Sequence, residues 1–495
     1  CLKSGLPAPE AAVVIGMLLF AGSLGLIYSI AKVWVGGRWR ALGVMVLAGG
    51  NYTFSAYATG GLETQLQTFL LLAAVRVVLW QHSDWSAAGA AVLSVIVALG
   101  VLCRPDFALF ALFLGGVLVV DALRVWPSER RHAVAVLFAG ALPLGVVMGA
   151  WIGWKIWYYG DVLPNTFYVK AAGTASAVVG LKYVYHFLAS YLLLPAVALA
   201  AAACLPVFLK RAPTLFQIFL AMTAVWLAYV VKVGGCSMEF RFIVPVIPFI
   251  MMYLVWVFWA SGMMSKVIAI VLTANVLIGS VWHMQTFRGG GEGIAPVPVL
   301  HGWTVGWEKI GRQLRRDLGD SRVKIGVTAA GAIPYASKLP ALDMHGLNDR
   351  WIGRQGPIVG LKPGHQRGAT VEYMRDRGVH LVFGEAMWVD RRQPDGQWVP
   401  FARRMVRLYA DRTGADVATA RFVTIPIRGT DKFIAAWYLL PHPAVDALIA
   451  QAAWGCVEVD VAGGRGFRRV ATSKRETQSR LTETRWWTIV PRDRF

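Results

Sequence analysis

Long apolar stretches, separated by short polar loops, fill the first part of the chain. Ten of them approach the length that crosses about 30 Å of hydrocarbon. They fall near residues 10–31, 41–58, 65–80, 86–102, 106–123, 133–155, 187–209, 214–232, 242–260 and 264–283. Several are interrupted by Gly or Pro, as a membrane helix tolerates when its neighbours satisfy the freed backbone groups. The pattern predicts a polytopic α-helical membrane protein with about ten spans.

The pattern changes near residue 288, where the apolar runs shorten to the length of strands. From there on the chain holds 32 of its 49 basic and 20 of its 28 acidic residues. The periodicity predicts helices and strands of an α/β domain, over 303–318, 323–327, 369–377, 380–383, 421–427 and 433–440. We therefore expect three parts: a transmembrane domain over 1–285, an α/β domain over 286–464, and a basic, poorly ordered tail over 465–495.

Composition agrees with this division. Hydrophobic residues make up 56% of the 495 positions and charged residues only 16%, and the mean hydropathy is +0.52. A formal charge of +21 would suggest nucleic acid as the partner of a soluble protein. In so apolar a chain it favours the lipid bilayer and lipid phosphates, and no nucleic acid is expected as a partner. The five cysteines show no metal-ligand spacing, and the sequence contains no P-loop or nucleophile elbow.

The distribution of basic residues predicts the orientation in the membrane. Lys and Arg cluster within 32–40, 124–131 and 210–211, in every second loop. The positive-inside rule assigns those loops to the cytoplasm. An even number of spans then places both the start of the chain and the α/β domain outside.

Four loops on the predicted outer side carry compact polar signatures. They are Thr59-Gly-Gly-Leu-Glu63-Thr64, Cys103-Arg104-Pro105-Asp106-Phe107, the loop 157–170, and Gly234-Gly235-Cys236-Ser-Met238-Glu239-Phe240-Arg241. Ionisable groups at membrane depth are costly unless they are paired or face water, so we expect these loops to converge on one site. The loop 157–170 combines aromatic rings, a carboxylate, an amide and an ammonium, which suit a sugar beside a phosphate.

Structural interpretations of the same loops stay open. The aromatic residues 157–159 are equally suited to the belt of aromatic side chains at a membrane interface. Arg104 and Asp106 could close a tight turn as a local ion pair. Glu239 and Arg241 are two residues apart and can pair only with other elements.

In their order, these motifs resemble those of the bacterial GT-C membrane glycosyltransferases. The likeness is greatest to the terminal arabinofuranosyltransferases of mycobacterial cell-wall assembly and their proteobacterial relatives. It extends to about residue 445 and rests on the four signatures above and on three segments of the α/β domain, Gly331-Ala-Ile-Pro-Tyr335, Asp343-Met-His-Gly-Leu-Asn-Asp349 and Lys362-Pro-Gly-His365.

The resemblance implies a polyprenyl-phosphate sugar donor and transfer of an arabinofuranose-like pentose or related sugar to a glycan or protein acceptor. The reaction would take place in a periplasmic cavity of a multi-pass protein of the bacterial inner membrane, with the α/β domain periplasmic. Such an enzyme must hold the leaving phosphate, neutralise its charge and deprotonate the acceptor hydroxyl. A divalent metal ion stays open as a cofactor.

We assign the candidate residues to three roles. Glu63 and Asp161 are the candidate catalytic carboxylates, and Lys170 and Arg104 the candidate ligands of the donor phosphate. The candidates for sugar or acceptor contact are Tyr159, Asn165, Asp106, Glu239, Arg241, Asp343 and His345, with His365 as a further one.

The sequence departs from the family in two places. Relatives carry an acidic pair in a long first periplasmic loop, as the expected base, and nothing here corresponds to it. We therefore expect the chain to lack the family's first span and first loop, and to be inactive by itself. Cys236 stands where relatives carry Asp, and a thiol cannot replace that charge unless it ionises.

Two other classes of function stay open. A transporter or flippase for a lipid-linked precursor would use the same basic cavity without chemistry, although the inverted repeats of many transporters are absent from the sequence. A non-catalytic membrane sensor would act through its outer domain.

Overall fold

The structure is a computed structural model that describes residues 7–171, 177–198, 200, 212–262, 266–289, 294–359, 366–384, 388–390, 402–403, 405–407, 409, 417–461 and 467–469. The chain divides into two compact units. The first unit comprises Cys1–Val162 and Ser176–Val297, and the second comprises Leu163–Ala175 and Pro298–Phe495. The predicted tail lies outside the described residues except at Phe467–Arg469, which form a strand.

The first unit is helical. Its helices are α1 (Ala8–Trp34), α2 (Arg38–Gly49), α3 (Tyr52–Ala56), α4 (Thr64–Gln81), α5 (Ala87–Cys103), α6 (Ala108–Val125), α7 (Arg130–Tyr159), α9 (Ala177–Ser190), α10 (Thr214–Lys232), α11 (Ile247–Ala260) and α12 (Lys266–Thr286), with short 3₁₀ helices at Pro105–Phe107 and Val244–Val246. Local chemistry sets several ends. The Ser86 hydroxyl accepts the Gly89 N–H at the start of α5, and Gly160 ends α7 in the left-handed conformation, with a φ of 64°.

Among the described residues, four stretches are long and apolar enough to cross a membrane: Ala8–Trp34, Pro105–Val125, Arg130–Tyr159 and Thr214–Lys232. Ala87–Cys103 and Val244–Ala260 are shorter apolar helices. The predicted span at 41–58 is broken, because α2 ends at Gly49 and the Asn51 side chain accepts the Phe54 N–H to start α3. Much of the predicted span 187–209 lies outside the described residues. The protein is thus a helical membrane protein, and the count of ten spans stays a prediction.

Aromatic and aliphatic side chains from most of these helices form one apolar core. The ring of Trp34, at the end of α1, lies 5.6 Å from the rings of Phe216 and Phe219. A Cβ at Gly180 would lie 2.1 Å from the Val231 carbonyl oxygen, so α9 and α10 touch through their backbones. Small residues at such positions let membrane helices pack closely.

The second unit is an α/β structure. Its helices are α8 (Asn165–Ala171), α13 (Val297–Leu318, which begins at the end of the first unit), α14 (Ala332–Ser337), α15 (Arg350–Gln355), α16 (Val371–Asp376) and α17 (Pro443–Ala450). Its strands are β1 (Ile325–Val327), β2 (Ala341–Asp343), β3 (Leu381–Gly384), β4 (Trp388–Asp390), β5 (Thr419–Pro426), β6 (Lys432–Tyr438), β7 (Gly455–Asp460) and β8 (Phe467–Arg469).

The strands form one mixed sheet in the order β2-β1-β3-β6-β5-β7-β8, with β4 also pairing with β6. β1 is parallel to β2 and β3, and the other pairs are antiparallel. Along β6, Phe433, Ala435 and Trp437 join one buried cluster, and Ile434 and Ala436 join another on the opposite face. Both faces of the sheet are therefore covered by apolar side chains.

Candidate functional site

Three of the four predicted loops meet within the first unit. The loop before α4 brings Glu63, the turn between α5 and α6 brings Arg104 and Asp106, and the turn after α10 brings Arg241. The last turn depends on Gly235, whose φ is 74° and whose Cβ would lie 2.5 Å from the Tyr183 ring. The structure thus assembles two carboxylates and two guanidinium groups at the ends of helices.

Arg104 lies at the centre of this group. Its Nη1 donates to Glu63 Oε1 at 2.9 Å, and its Nε and Nη2 donate to the two oxygens of Asp106 at 3.0 and 2.5 Å. The guanidinium also lies over the Phe242 ring, 5.1 Å from its centroid, and Gln67 Nε2 donates to Asp106 Oδ1 at 3.2 Å. The predicted local pair of Arg104 and Asp106 is present. A donor phosphate could bind Arg104 only if it displaced the carboxylate of Glu63 or of Asp106 from the guanidinium.

Arg241 holds Glu63 from the other side. Its Nη2 donates to Glu63 Oε1 at 2.5 Å and its Nε to Thr64 Oγ1 at 3.1 Å. Burial acts to raise the pKa of Glu63. The charge of Arg241, then a backbone hydrogen bond and the charge of Arg104 outweigh burial, so the pKa lies below its ordinary value. The Glu63 side chain is 34% exposed, against 15% for Arg104 and 13% for Arg241. Glu63 is therefore a charged, oriented carboxylate and the most accessible member of the group.

Glu239 lies two residues before Arg241 but belongs to a separate, buried network. It is 1% exposed, and its Oε1 accepts from His283 Nε2 at 2.7 Å and from the Thr53 hydroxyl at 3.3 Å. Its Oε2 accepts the Val297 N–H at 2.7 Å. A sugar or acceptor could contact Glu239 only if this network opened, so the arrangement favours a structural role.

The same turn is joined to the segment that leads out of the first unit. The Glu239 N–H donates to the Ala295 carbonyl at 3.1 Å, and the Ala295 N–H donates to the Ser237 carbonyl at 2.7 Å. With the bond from Val297, these contacts fasten residues 295–297 to the turn that carries Arg241.

The fourth loop is divided between the two units. Tyr159 and Asp161 end the first part of the first unit, and Asn165 and Lys170 lie on α8 in the second. Trp157 is 80% exposed and Tyr159 is 53% exposed, which agrees with both the aromatic-belt and the sugar-binding interpretations of this loop. The side chain of Lys170 lies outside the described residues, so its predicted phosphate contact stays a prediction.

Asn165 ties α8 into the second unit. Its Nδ2 donates to the carbonyls of Gly346 at 2.5 Å and Asp349 at 2.8 Å, with a longer contact of 3.4 Å to Leu347. The amide thus closes the loop before α15, whereas the sequence predicted a contact with sugar hydroxyls, which stays a prediction.

Asp343 organises the same loop. Its oxygens accept the N–H groups of His345 at 3.0 Å and Asn348 at 2.9 Å, and the His345 Nδ1 lies 3.0 Å from the Arg367 carbonyl. Asp343 and His345 are both buried. The predicted acceptor residues thus lie together in one loop, and His365 lies outside the described residues.

The remaining candidate chemistry is limited. The Cys236 sulfur accepts the Met238 N–H at 3.5 Å, within the turn that leads to Arg241. In the part of the chain that the structure describes, no three His, Cys, Asp or Glu side chains group as they would around a metal ion.

Sequence reasoning missed several partners in both networks. Gln67 belongs to a polar start of α4, Thr64-Gln-Leu-Gln67-Thr68, in a mostly apolar helix. That departure from the apolar pattern was a usable signal. Thr53 and His283 gave weaker signals, because each lies among scattered polar residues within a predicted span.

Three comparisons with known proteins found matches to parts of this chain. A family described as "Domain of unknown function (DUF8728)" matches residues 300–427. The terminal beta-(1->2)-arabinofuranosyltransferase of Mycobacterium tuberculosis is 29% identical over 175 residues, which are 33% of this chain. The match spans 26% of the mycobacterial protein.

A solved structure resembles the fold over most of its length. The crystal structure of ArnT from Cupriavidus metallidurans bound to undecaprenyl phosphate aligns with a TM-score of 0.50 and 14% identity, covering 87% of this chain and 84% of that one. At this identity the likeness concerns the fold. Together with the arabinofuranosyltransferase match, it supports the GT-C family that the motifs indicated.

Proposed function

We propose that this chain is a membrane glycosyltransferase that moves a sugar, such as an arabinofuranose-like pentose, from a polyprenyl-phosphate donor to a cell-envelope glycan or protein. On this proposal it has about ten spans in a bacterial inner membrane, and its second unit is periplasmic. The ArnT structure with undecaprenyl phosphate bound supports a lipid phosphate as the donor. The arabinofuranosyltransferase match supports the class of sugar.

The observation that carries the proposal is the setting of Glu63. Arg104 and Arg241 both donate to one of its oxygens, Oε1, and the side chain is still 34% exposed. A transporter needs only a basic surface, whereas an oriented carboxylate is suited to hold a hydroxyl group in one direction. Preorganised charges of this kind contribute to catalysis because they need not rearrange during the reaction.

The surroundings refine the role of each residue. Because its pKa is lowered, Glu63 is ionised at neutral pH and is a weak base, so we assign it to orienting a sugar or acceptor hydroxyl. Arg104 acts through Glu63 and Asp106, as a positioning residue. Lys170 is the candidate for the donor phosphate, and Asp161 is the second candidate carboxylate.

A transfer assay on the full-length protein in liposomes tests the proposal. The donor would carry a labelled sugar on polyprenyl phosphate, and an envelope glycan would be the acceptor. We expect Glu63→Gln to lower transfer about a hundredfold, the scale on which one preorganised polar group acts. Glu129→Gln, which changes an exposed carboxylate in the loop before α7, should leave transfer unchanged.

The same assay separates the alternatives. Movement of the labelled lipid across the bilayer without transfer would instead support a flippase. Neither transfer nor movement would favour the sensor. Equal transfer by Glu63→Gln and Glu129→Gln would remove Glu63 from the site.

A further inference from the structure

A cavity of about 200 Å³ lies between α6 and α10, away from the site around Glu63. One face of α6 lines it, from Leu112 to Arg124, and Thr214 and Ile218 of α10 line the other side. Most of the lining is apolar. The polar groups gather at one end, near the end of α6, where His82 also lines the cavity.

That polar end is organised around Asp121, which is 4% exposed. Its Oδ2 accepts from His82 Nδ1 at 2.7 Å and from Trp85 Nε1 at 3.0 Å. Its Oδ1 accepts from Arg124 Nη1 at 3.3 Å. A buried carboxylate thus orients a histidine and an arginine, and the Arg124 side chain remains 60% exposed.

Charge at this end favours an anion. Arg124 is followed at the start of α7 by Arg130 and Arg131, both exposed. Asp121 is buried and accepts from its own donors, so the accessible charged group that lines the cavity is the Arg124 guanidinium. The proposed transfer reaction uses none of these residues.

The length of the cavity fits one leaflet of a bilayer. Leu112 and Arg124 are 12 residues apart on α6, which is about 18 Å at a rise of 1.5 Å per residue. Half of a hydrocarbon core about 30 Å thick is about 15 Å. Leu112 and Val120 are exposed, as side chains that face lipid would be.

Gly116 creates part of this space. A Cβ built on it meets no atom within 4 Å, and the same is true of its neighbour Gly115, which does not line the cavity. A larger side chain at Gly116 would therefore enter the cavity without displacing the protein.

We propose that this cavity binds an anionic phospholipid of the surrounding membrane. Arg124 holds the phosphate, Asp121 orients Arg124, and one acyl chain lies along α6 past Gly116. The site is separate from the donor site and goes beyond the proposed transfer reaction. No bond is made or broken in it.

Native mass spectrometry of the purified protein, with phosphatidylglycerol or phosphatidylcholine of the same acyl chains added, tests this site. We expect tighter retention of phosphatidylglycerol. Arg124→Ala should weaken it about fivefold or more, the scale of one basic residue near an anionic surface. Gly116→Leu should weaken it about tenfold.

Two variants serve as matched controls. Gly115→Leu makes the same change on the same helix outside the cavity, and Arg38→Ala removes an exposed arginine elsewhere, so both should bind as the unchanged protein does. Leu favours a helix more than Gly, so neither glycine variant should fail to fold.

Three outcomes would overturn the proposal. The first is equal retention of the two lipids, and the second is an equal effect of Gly116→Leu and Gly115→Leu on binding. The third is displacement of phosphatidylglycerol by inorganic phosphate at the same concentration, which would indicate a site for the free anion. The readout does not depend on sugar transfer, so the proposal and the proposed function can fail separately.

Discussion

His380 and His442 contact each other edge to face beside the start of β3, with ring centroids 4.7 Å apart. His380 Nδ1 accepts the Lys324 N–H at 2.9 Å, and His442 Nδ1 accepts the Ala444 N–H at 3.2 Å. An acceptor nitrogen carries no proton, so both bonds require neutral rings. Burial and then His442 lower the pKa of His380 from its ordinary value.

This pair predicts that acid weakens the second unit. The folded chain binds a proton at His380 less readily than the unfolded chain does. The free energy of unfolding therefore falls as the pH drops below about 6.5, the ordinary pKa of histidine, towards the lowered pKa of the folded state. Hydrogen exchange of the β3 amides, corrected for intrinsic rates, should therefore be faster at pH 5 than at pH 7.

Substitution identifies the group responsible. His380→Gln should reduce the pH dependence of exchange in β3, and His301→Gln, at an exposed position on α13, should not. An unchanged pH dependence in His380→Gln would assign the effect to another group.

At the scale of elements, the turn after α10 serves two networks at once. Arg241 holds Glu63, and Glu239 holds both His283 and the Val297 N–H. The turn 239–241 therefore connects the hydrogen bonds of residues 295–297 to the ion pair between Arg241 and Glu63.

Glu239→Leu should destabilise the first unit strongly. The change leaves the buried His283 Nε2 and the Val297 N–H without an acceptor, and each buried donor left unpaired costs about 1–3 kcal/mol. Thermal unfolding in detergent would measure the loss, and hydrogen exchange at Val297 should accelerate. The matched change Glu308→Leu, on the exposed side of α13, should shift stability by about 0.5 kcal/mol or less. Similar shifts for the two variants would refute the structural role of Glu239.

Helices and strands followed from the sequence better than their contacts did. Apolar length and period reflect local burial, so α7, α10 and the pair of β5 and β6 lie close to their predicted bounds. The pairing of Arg104 with Asp106 was also visible, because the two are neighbours along the chain.

The contact of Glu63 with Arg241 joins residues 178 positions apart and depends on how whole helices pack. For the same reason, the sequence did not show whether Asn165 and Glu239 contact a ligand or make hydrogen bonds within the protein. Each has a side chain suited to a sugar, and only the packed structure shows which backbone groups it meets. The glycines before Asn51 marked an interruption of the run 41–58, but the sequence did not show that one helix ends there and another begins.

At the scale of the whole molecule, the distribution of basic residues predicts that the loop before α7 and the second unit lie on opposite sides of the membrane. A cysteine at Asp320, whose side chain is 89% exposed, should react with an impermeant thiol reagent added outside intact cells. A cysteine at Ser128, also exposed, should react only after the membrane is opened. The protein with its own cysteines alone gives the background, and the opposite pattern would invert the topology.

The inclusion of Leu163–Ala175 in the second unit has a consequence for the order of synthesis. Asn165 and the Gly346 carbonyl that it contacts are 181 residues apart. The ribosome adds about 5–20 residues per second, so roughly 10–40 s separate the synthesis of Asn165 from that of Gly346. Helices α9 to α12 are synthesised in the same interval. During that interval, the short helix α8 cannot form its contacts with the Gly346 and Asp349 carbonyls, because those residues have not been synthesised. A ribosome-bound chain stalled before residue 346 should therefore leave α8 open to a protease that the finished protein resists.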